Sequence, residues 1–209
     1  FLAIGQWDFK RLLAYHSISQ IGYVILGIGI GTPLGILGGL FHLFNHSVFK
    51  SLLFLNSGAV EYATSTRDLK KMGGLVRKMP LTATTSFFAS MSIAGIPPFN
   101  GFWSKLLIII AAVEAGRPGY AFWAVLASIL TLASFTKVMK YGFFGKLKDK
   151  LAYVREVPVF MCLSMAVLAL ICLIGGMLLH PDVGGIFMNK VMTVLLEGRQ
   201  YAIGVLGTT

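Results

Sequence analysis

Two histidines and a lysine recur at four-residue intervals in the segment FHLFNHSVFKSLLFLNSG, at His42, His46 and Lys50. In a helix, side chains at this spacing lie on one face, about one turn apart. An imidazole titrates near neutral pH, and burial disfavours the charged form of an amine. The stripe therefore predicts a proton relay with Lys50 at its centre. The alternative interpretation is that the histidines hydrogen-bond across helices and Lys50 pairs with a carboxylate.

A second lysine, Lys105, follows an interruption in the segment GIPPFNGFWSKLLIII. Pro97 and Pro98 lack backbone donors and clash with a preceding helical turn, and Gly101 follows closely, so a helix break is expected here. Broken helices often flank ion sites in transporters, where protein or water covers the unwound backbone. We therefore predict that Lys105 is an exchange site beside the break. Alternatively, it anchors the broken helix or reaches a membrane interface.

Three other charged residues are possible relay members. Lys137 lies deep in the apolar segment TLASFTKVMKYGFFG, where it either joins a relay or extends to the interface. Lys10 and Asp8 open the first apolar segment, where an interfacial anchor is an equally good interpretation. The first half of that segment is unusually polar and is expected to face protein or water rather than lipid; its polar residues are Tyr15, His16, Ser17, Ser19 and Gln20.

The elements that hold these residues are membrane-spanning helices. Hydrophobic residues make up 56% of the 209-residue chain and charged residues only 12%, about half the usual charged share of a soluble domain. Mean hydropathy is +0.78. Long stretches contain no Asp, Glu, Lys or Arg, and each is long enough to cross the hydrocarbon; they lie between Arg11 and Lys50, Lys78 and Lys105, Arg117 and Lys137, and Glu156 and Asp182.

The predicted fold is an all-α polytopic membrane protein with about six transmembrane helices, including one discontinuous helix near Pro97-Pro98. The spans are drawn at 10–31, 34–60, 80–96, 99–114, 120–144 and 158–179. The tail, roughly 184–197, is expected to be an amphipathic helix along the interface, or alternatively a short seventh span.

Two cationic loops bear on the orientation of these spans: the first cationic loop (residues 62–79) and the second cationic loop (residues 146–155). Both favour the cytoplasm under the positive-inside rule, but three drawn spans separate them. Either one loop breaks the rule, or one segment is discontinuous and does not cross as drawn. The short third and fourth spans are the suspects.

Other function classes find little support. The net charge of +10 comes largely from cationic residues in loops beside apolar spans. Such residues set the orientation of membrane spans and contact lipid head groups, so they do not indicate nucleic-acid binding. Cys162 and Cys172 share one apolar span and form no metal or redox motif. Phosphate-loop, zinc-protease and nucleophile-elbow motifs are missing. We therefore expect no catalytic centre, cofactor or metal in this chain.

Four stretches together resemble a known family: DFKRLLAYHSISQIGYVILG, FHLFNHSVFKSLLFLNSG, TRDLKKMGGLVRKMP and AGIPPFNGFWSKLLI. In this order and spacing they resemble the antiporter-like subunits of respiratory complex I, of Mrp-type cation/proton antiporters and of energy-converting membrane-bound hydrogenases. The resemblance covers roughly residues 1–145. It implies two inverted five-helix repeats, each a half-channel around a broken helix and a buried lysine.

By this resemblance, residues 1–145 form the second repeat, and residues 146–209 add a transmembrane helix and an interfacial helix. Lys105 falls on the position beside the broken helix, where some members carry glutamate. His42, His46 and Lys50 match the family's central hydrophilic axis, and Lys10 with Asp8 matches another family pair. The first repeat is expected in another part of a longer polypeptide or in a separate subunit.

The predicted function is proton or sodium translocation within a multi-subunit redox or antiporter complex. The expected setting is an energy-transducing membrane such as the prokaryotic cytoplasmic membrane, with lipid and other membrane subunits as partners. Two alternatives remain open. A scaffold subunit uses its buried charges only to hold helices and partners together, and a free-standing carrier of small solutes has a midplane pocket with specific polar groups.

Overall fold

A computed structural model of the chain describes residues 2–179, and the predicted interfacial helix at 184–197 lies outside them. The long elements of this described part are all α-helices, as predicted. Its six α-helices are α1 (Phe9–Gly29), α2 (Pro33–Thr64), α3 (Pro80–Ala94), α4 (Asn100–Glu114), α5 (Pro118–Val138) and α6 (Val159–Ile174). A π-helical turn, Met139–Phe143, extends α5, and a 3-10 turn, Gly175–Leu179, extends α6.

The helices begin where polar side chains or prolines favour a start. Asp8 caps α1 by accepting a hydrogen bond from the backbone N–H of Arg11 at 2.9 Å. Thr32 caps α2 in the same way, and Pro33 occupies the first helical position. By length and composition, three helices within residues 2–179 qualify as membrane spans: Phe9–Gly29, Pro118–Phe143 and Val159–Leu178.

Large apolar side chains remain exposed on the outer helices. Phe122 and Trp123 of α5 are each more than 60% exposed, and Phe160 of α6 is 83% exposed. Exposed aromatic and aliphatic side chains of this density suit a surface that meets lipid or other membrane subunits. The packed interior lies instead around α2, which packs against α1, α3, α4 and α6.

Both cationic loops lie on the same side of the helices. The backbone N–H of Gly74 in the first loop donates to the carbonyl of Phe144, just before the second loop, at 3.0 Å. Glu156, just after the second loop, caps the start of α3 by accepting from the backbone N–H of Leu81 at 2.9 Å. At the opposite side, Gly38 near the start of α2 packs against Ile108 of α4.

It follows that α3 and α4 are two halves of one crossing. Each half has 15 residues, or about 22 Å of helix, which is shorter than the roughly 30 Å hydrocarbon core. Counting 80–96 and 99–114 as two separate crossings was therefore wrong, and the discontinuous-helix alternative is correct. With one crossing there and one in α5, both loops lie on one side, and the conflict with the positive-inside rule disappears.

Gly101 permits the close overlap of the two halves. A methyl group on this residue would lie 1.9 Å from the carbonyl oxygen of Ser92 in the last turn of α3. The break therefore requires the absence of a side chain at this position. Gly95, which ends α3, has a φ of +80°, a left-handed conformation that glycine adopts without strain.

Replacing Gly101 with alanine is expected to destabilise the assembled protein by about 1–3 kcal/mol, the usual cost of overpacking. The clash is with backbone, which has little room to move. Thermal unfolding of the purified complex and its yield from membranes measure the effect. The control is Gly22→Ala in α1, where an added methyl group meets nothing within 4 Å. Equal stability of the two variants would contradict the described break.

Candidate functional site

Lys50 lies in the interior of the helices without a carboxylate partner. The residue is 6% exposed, and its Nζ donates to the backbone carbonyl of Leu13 in α1. The ring of Phe54, one turn further along α2, lies 5.7 Å from Nζ. Among residues 2–179 no ion pair includes Lys50, so the carboxylate pairing of the alternative interpretation is not observed there. An amine in this setting holds its proton against a large desolvation cost.

His42 connects three helices. It is fully buried, and its Nδ1 lies 2.9 Å from the hydroxyl of Ser104 in α4. Its Nε2 lies 3.2 Å from Oε1 of Gln20 in α1. Both ring nitrogens therefore have polar partners from other helices, as the hydrogen-bonding alternative also expects. A ring held at both nitrogens can still exchange a proton with either partner side.

His46 lies on the same stripe between His42 and Lys50 and is partly exposed. Its ring contacts Phe49 edge-on, with centroids 5.6 Å apart, and its Nε2 is buried without a hydrogen-bond partner among the described residues. From His42 to Lys50 the stripe covers eight residues, or about 12 Å along the helix. Direct contact does not bridge this length, so proton transfer along it depends on water between the groups.

Lys105 binds the last turn of α3, at the break between α3 and α4. Its Nζ donates to the carbonyl of Ile93 at 2.8 Å and lies 3.5 Å from the carbonyl of Ala94. These carbonyls belong to the last turn of α3, where helix dipoles concentrate negative potential. The side chain is 3% exposed, and its Nζ lies 4.6 Å from the centre of the Tyr23 ring. The lysine thus contacts the break, as the sequence predicted.

Two asparagines hold the break in place. Asn100, the first residue of α4, donates from Nδ2 to Oδ1 of Asn45 in α2 at 3.0 Å. Asn45 donates in return to the backbone carbonyl of Asn100 at 3.1 Å. Ser92 of α3 donates to Oδ1 of Asn100. The reciprocal pair fixes both halves of the discontinuous helix to the helix that carries the histidine stripe.

The residues around His42 and Lys105 form one continuous group, which we call the central polar cluster: Gln20, Tyr23, His42, Ser104 and Lys105. The ring centroids of Tyr23 and His42 are 5.3 Å apart, so the tyrosine ring is a neighbour of both the histidine and the lysine. All five side chains are at most 3% exposed and belong to α1, α2 and α4. The cluster therefore joins the histidine stripe to the broken helix.

Sequence reasoning left Gln20 and Tyr23 out of the site. The signal that could have found Gln20 was the polar first half of α1, where Gln20 does face protein as expected. Tyr23 gave no such signal, because its role depends on the position of Lys105 and on the hydroxyl contact with Ser128 at 2.8 Å. Glu156 was also missed as the cap of α3, since 75 residues separate it from Leu81.

Lys10 and Asp8 lie away from the central polar cluster. Lys10 pairs with Glu61 at 2.6 Å rather than with Asp8, and Arg67 lies 3.5 Å from Asp8. These side chains are between a third and a half exposed, so each pair contributes at most about 1 kcal/mol. The contacts fit an interfacial anchor, and a relay role for this pair stays a prediction.

Lys137 holds the segment before α1. Its Nζ donates to the backbone carbonyls of Ile4 and Gln6 and lies 4.9 Å from the centre of the Trp7 ring. The lysine therefore lies outside the central polar cluster, and its amine contacts protein rather than extending to the surface. It links the end of α5 to the start of the described chain, and a relay role stays a prediction.

Comparison with known proteins identifies a family whose sequences match this chain. The transmembrane family described as NADH:quinone oxidoreductase/Mrp antiporter matches residues 1–131. A Na⁺/H⁺ antiporter protein from Alkalihalophilus pseudofirmus is 44% identical over 146 residues, which are 70% of this chain and 30% of the relative. Formate hydrogenlyase subunit 3 of Escherichia coli is 34% identical over 196 residues, or 83% of this chain and 32% of the relative.

A solved structure has the same fold. A chain in the Mrp complex from Dietzia sp. DQ12-45-1b matches with a TM-score of 0.85 and 29% identity, over 95% of this chain and 45% of that chain. The present chain thus spans less than half the length of each of these three proteins.

Proposed function

We propose that this chain, which belongs to the transmembrane family of NADH:quinone oxidoreductase and Mrp antiporter subunits, moves protons or sodium ions across the membrane within a larger complex. The observation that carries the proposal is the pair of lysines buried at 6% and 3% exposure, whose hydrogen-bond partners among residues 2–179 are backbone carbonyls. A buried ionisable residue is costly in a membrane and is retained for a function.

The proposed relay runs from Lys50 along the histidine stripe to the central polar cluster. His46 lies between Lys50 and the cluster on α2, and His42, a member of the cluster, contacts Ser104 of the helix that carries Lys105. Lys105 is the exchange site at the broken helix, beside the carbonyls of Ile93 and Ala94. Protons enter or leave there because the ends of broken helices favour ion binding.

Coupling between the two lysines is electrostatic in this proposal. Two positive charges in a low-dielectric interior raise each other's free energy. Protonation of one lysine therefore favours proton release from the other. Among residues 2–179, no carboxylate pairs with either lysine. No nearby counter-ion from this part of the chain therefore offsets the repulsion.

Protons are the favoured ion. Sodium prefers several oxygen ligands, and the relay offers mainly nitrogen bases. Because the chain spans less than half the length of its relatives, the complete pathway is proposed to include further protein, such as a first repeat in the same polypeptide or in a partner subunit. The chain is an integral membrane protein, and its relatives include subunits of antiporter and hydrogenlyase assemblies.

Everted membrane vesicles from cells with and without this chain test the proposal. Vesicles with the complete complex are expected to show proton movement, followed by the quenching of a ΔpH-sensitive dye, and vesicles without the chain are expected to show only the background. Addition of sodium to energised vesicles tests whether the same complex exchanges sodium for protons. Proton movement that is equal with and without the chain, at equal amounts of the other subunits, contradicts the proposal.

A further inference from the structure

A cavity of about 510 Å³ lies between α1 and α5, beside residues 2–4. Its polar lining consists of Tyr15, His16 and Ser19 from α1 and Thr131 and Ser134 from α5, with aliphatic side chains between them. Ser19 is exposed, so the cavity opens at the surface of the described helices. A volume of this size holds several water molecules, since each occupies about 30 Å³ in the liquid.

The deepest titratable group on its wall is His16. The residue is only 4% exposed, yet neither of its ring nitrogens has a hydrogen-bond partner among the described residues. The ring of Phe135 packs beside it, with centroids 5.0 Å apart. A polar group buried without a partner is destabilising. A water molecule that moves inward from the adjacent cavity would remove this cost, and five polar side chains line the cavity from which it would come.

Two neighbouring side chains show the same pattern. The hydroxyl of Ser134, on the α5 wall of the cavity, and the Nε2 of Gln20 are also buried without a partner in the described part of the chain. Gln20 follows His16 by four residues, so the two side chains are neighbours on one face of α1. The other end of the Gln20 amide, Oε1, lies 3.2 Å from Nε2 of His42.

We infer that His16 is a further proton-carrying residue, which connects the cavity between α1 and α5 to His42 past the side chain of Gln20. The inference rests on the proposed translocation function and adds a second entrance to the relay. One ring nitrogen of His16 accepts a proton from water in the cavity, and the other releases a proton to water beside Gln20. Water that displaces Oε1 of Gln20 from Nε2 of His42 delivers that proton to His42 in its Nδ1–H tautomer, and His16 returns to its neutral form.

Thiol labelling tests the cavity without reference to transport. In the complete complex with Cys162 and Cys172 replaced by serine, Ser134→Cys is expected to react rapidly with a small charged methanethiosulfonate reagent, because such reagents attack the thiolate and require water. The matched control is Ser90→Cys on α3, since Ser90 is as fully buried as Ser134 but lines none of the described cavities. Equal, slow labelling of both positions overturns the hydrated entrance.

Transport measurements test the histidine itself. His16→Gln retains a polar side chain but carries no proton, so proton flux per assembled complex is expected to fall severalfold. Ser164→Ala is the control, because the exposed Ser164 hydroxyl bonds to the carbonyl of Phe160 on its own helix, α6. If Lys50→Met abolishes flux while His16→Gln leaves it unchanged, the inference about His16 is wrong and the proposed function stands. If Lys50→Met leaves flux unchanged, the proposed function itself fails.

Discussion

Replacement of Lys50 by methionine is expected to reduce proton flux through the complete complex to the background of vesicles that lack it. Methionine fills a similar volume and is apolar, so it removes the proton carrier, and the Leu13 carbonyl that accepted from Lys50 keeps the Ser17 hydroxyl as a donor. Loss of one obligatory carrier lowers the rate at least about tenfold, which corresponds to ~1.4 kcal/mol on the barrier. Dye quenching in everted vesicles measures the change.

Lys71→Met is the matched control for this variant. Lys71 is an exposed residue of the first cationic loop, and its replacement removes the same charge without touching the relay. Flux per assembled complex is expected to be near that of the unaltered protein. A scaffold function makes a different prediction: Lys50→Met then lowers the yield of the complex, while flux per assembled complex stays constant.

Lys105 is expected to be equally necessary. Lys105→Met removes both the proton carrier and the donor to the carbonyls of Ile93 and Ala94. Proton flux is expected to fall to background, and the thermal stability of the complex is expected to fall with it, because the last turn of α3 loses its partner.

Lys105→Gln separates the two roles of the lysine. The glutamine amide is still able to donate a hydrogen bond toward these carbonyls, but it carries no proton. Stability is therefore expected to recover more than flux. Recovery of both together would mean that Lys105 only anchors the broken helix.

Much of the fold was predictable because membrane helices carry strong local signals. Pro33, Pro80 and Pro118 each occupy the start of a helix, and uninterrupted apolar runs set the lengths. The number of crossings was harder to predict, since two 15-residue halves and two short spans have the same local pattern. Contacts between residues far apart in the chain, such as Gly74 with Phe144, decide between them.

The candidate site was predictable where it follows one helix. The stripe of His42, His46 and Lys50 needs only the four-residue period, and the position of Lys105 near the break needs only the prolines. The partners Gln20 and Tyr23 come from another helix, so their contribution depends on packing. The partner of Lys10 was also not predictable from the local sequence, because Lys10 pairs with the distant Glu61 of α2 rather than with its neighbour Asp8.

The family resemblance predicted from four segments is confirmed by the family match over residues 1–131. The assignment of residues 1–145 as a complete half-channel and the role of residues 146–209 stay predictions. Within the described part, α6 packs on α2 and α3, so the added helix supports the elements that carry the stripe and the first half of the break.

The most direct test is the initial proton flux per complex in proteoliposomes that contain the whole purified complex. Unaltered protein, Lys50→Met and Lys71→Met are compared at equal protein content and under the same driving force. The account predicts flux near background for Lys50→Met and normal flux for Lys71→Met. Normal flux through a fully assembled Lys50→Met complex would contradict the central claim that this buried lysine carries the translocated proton.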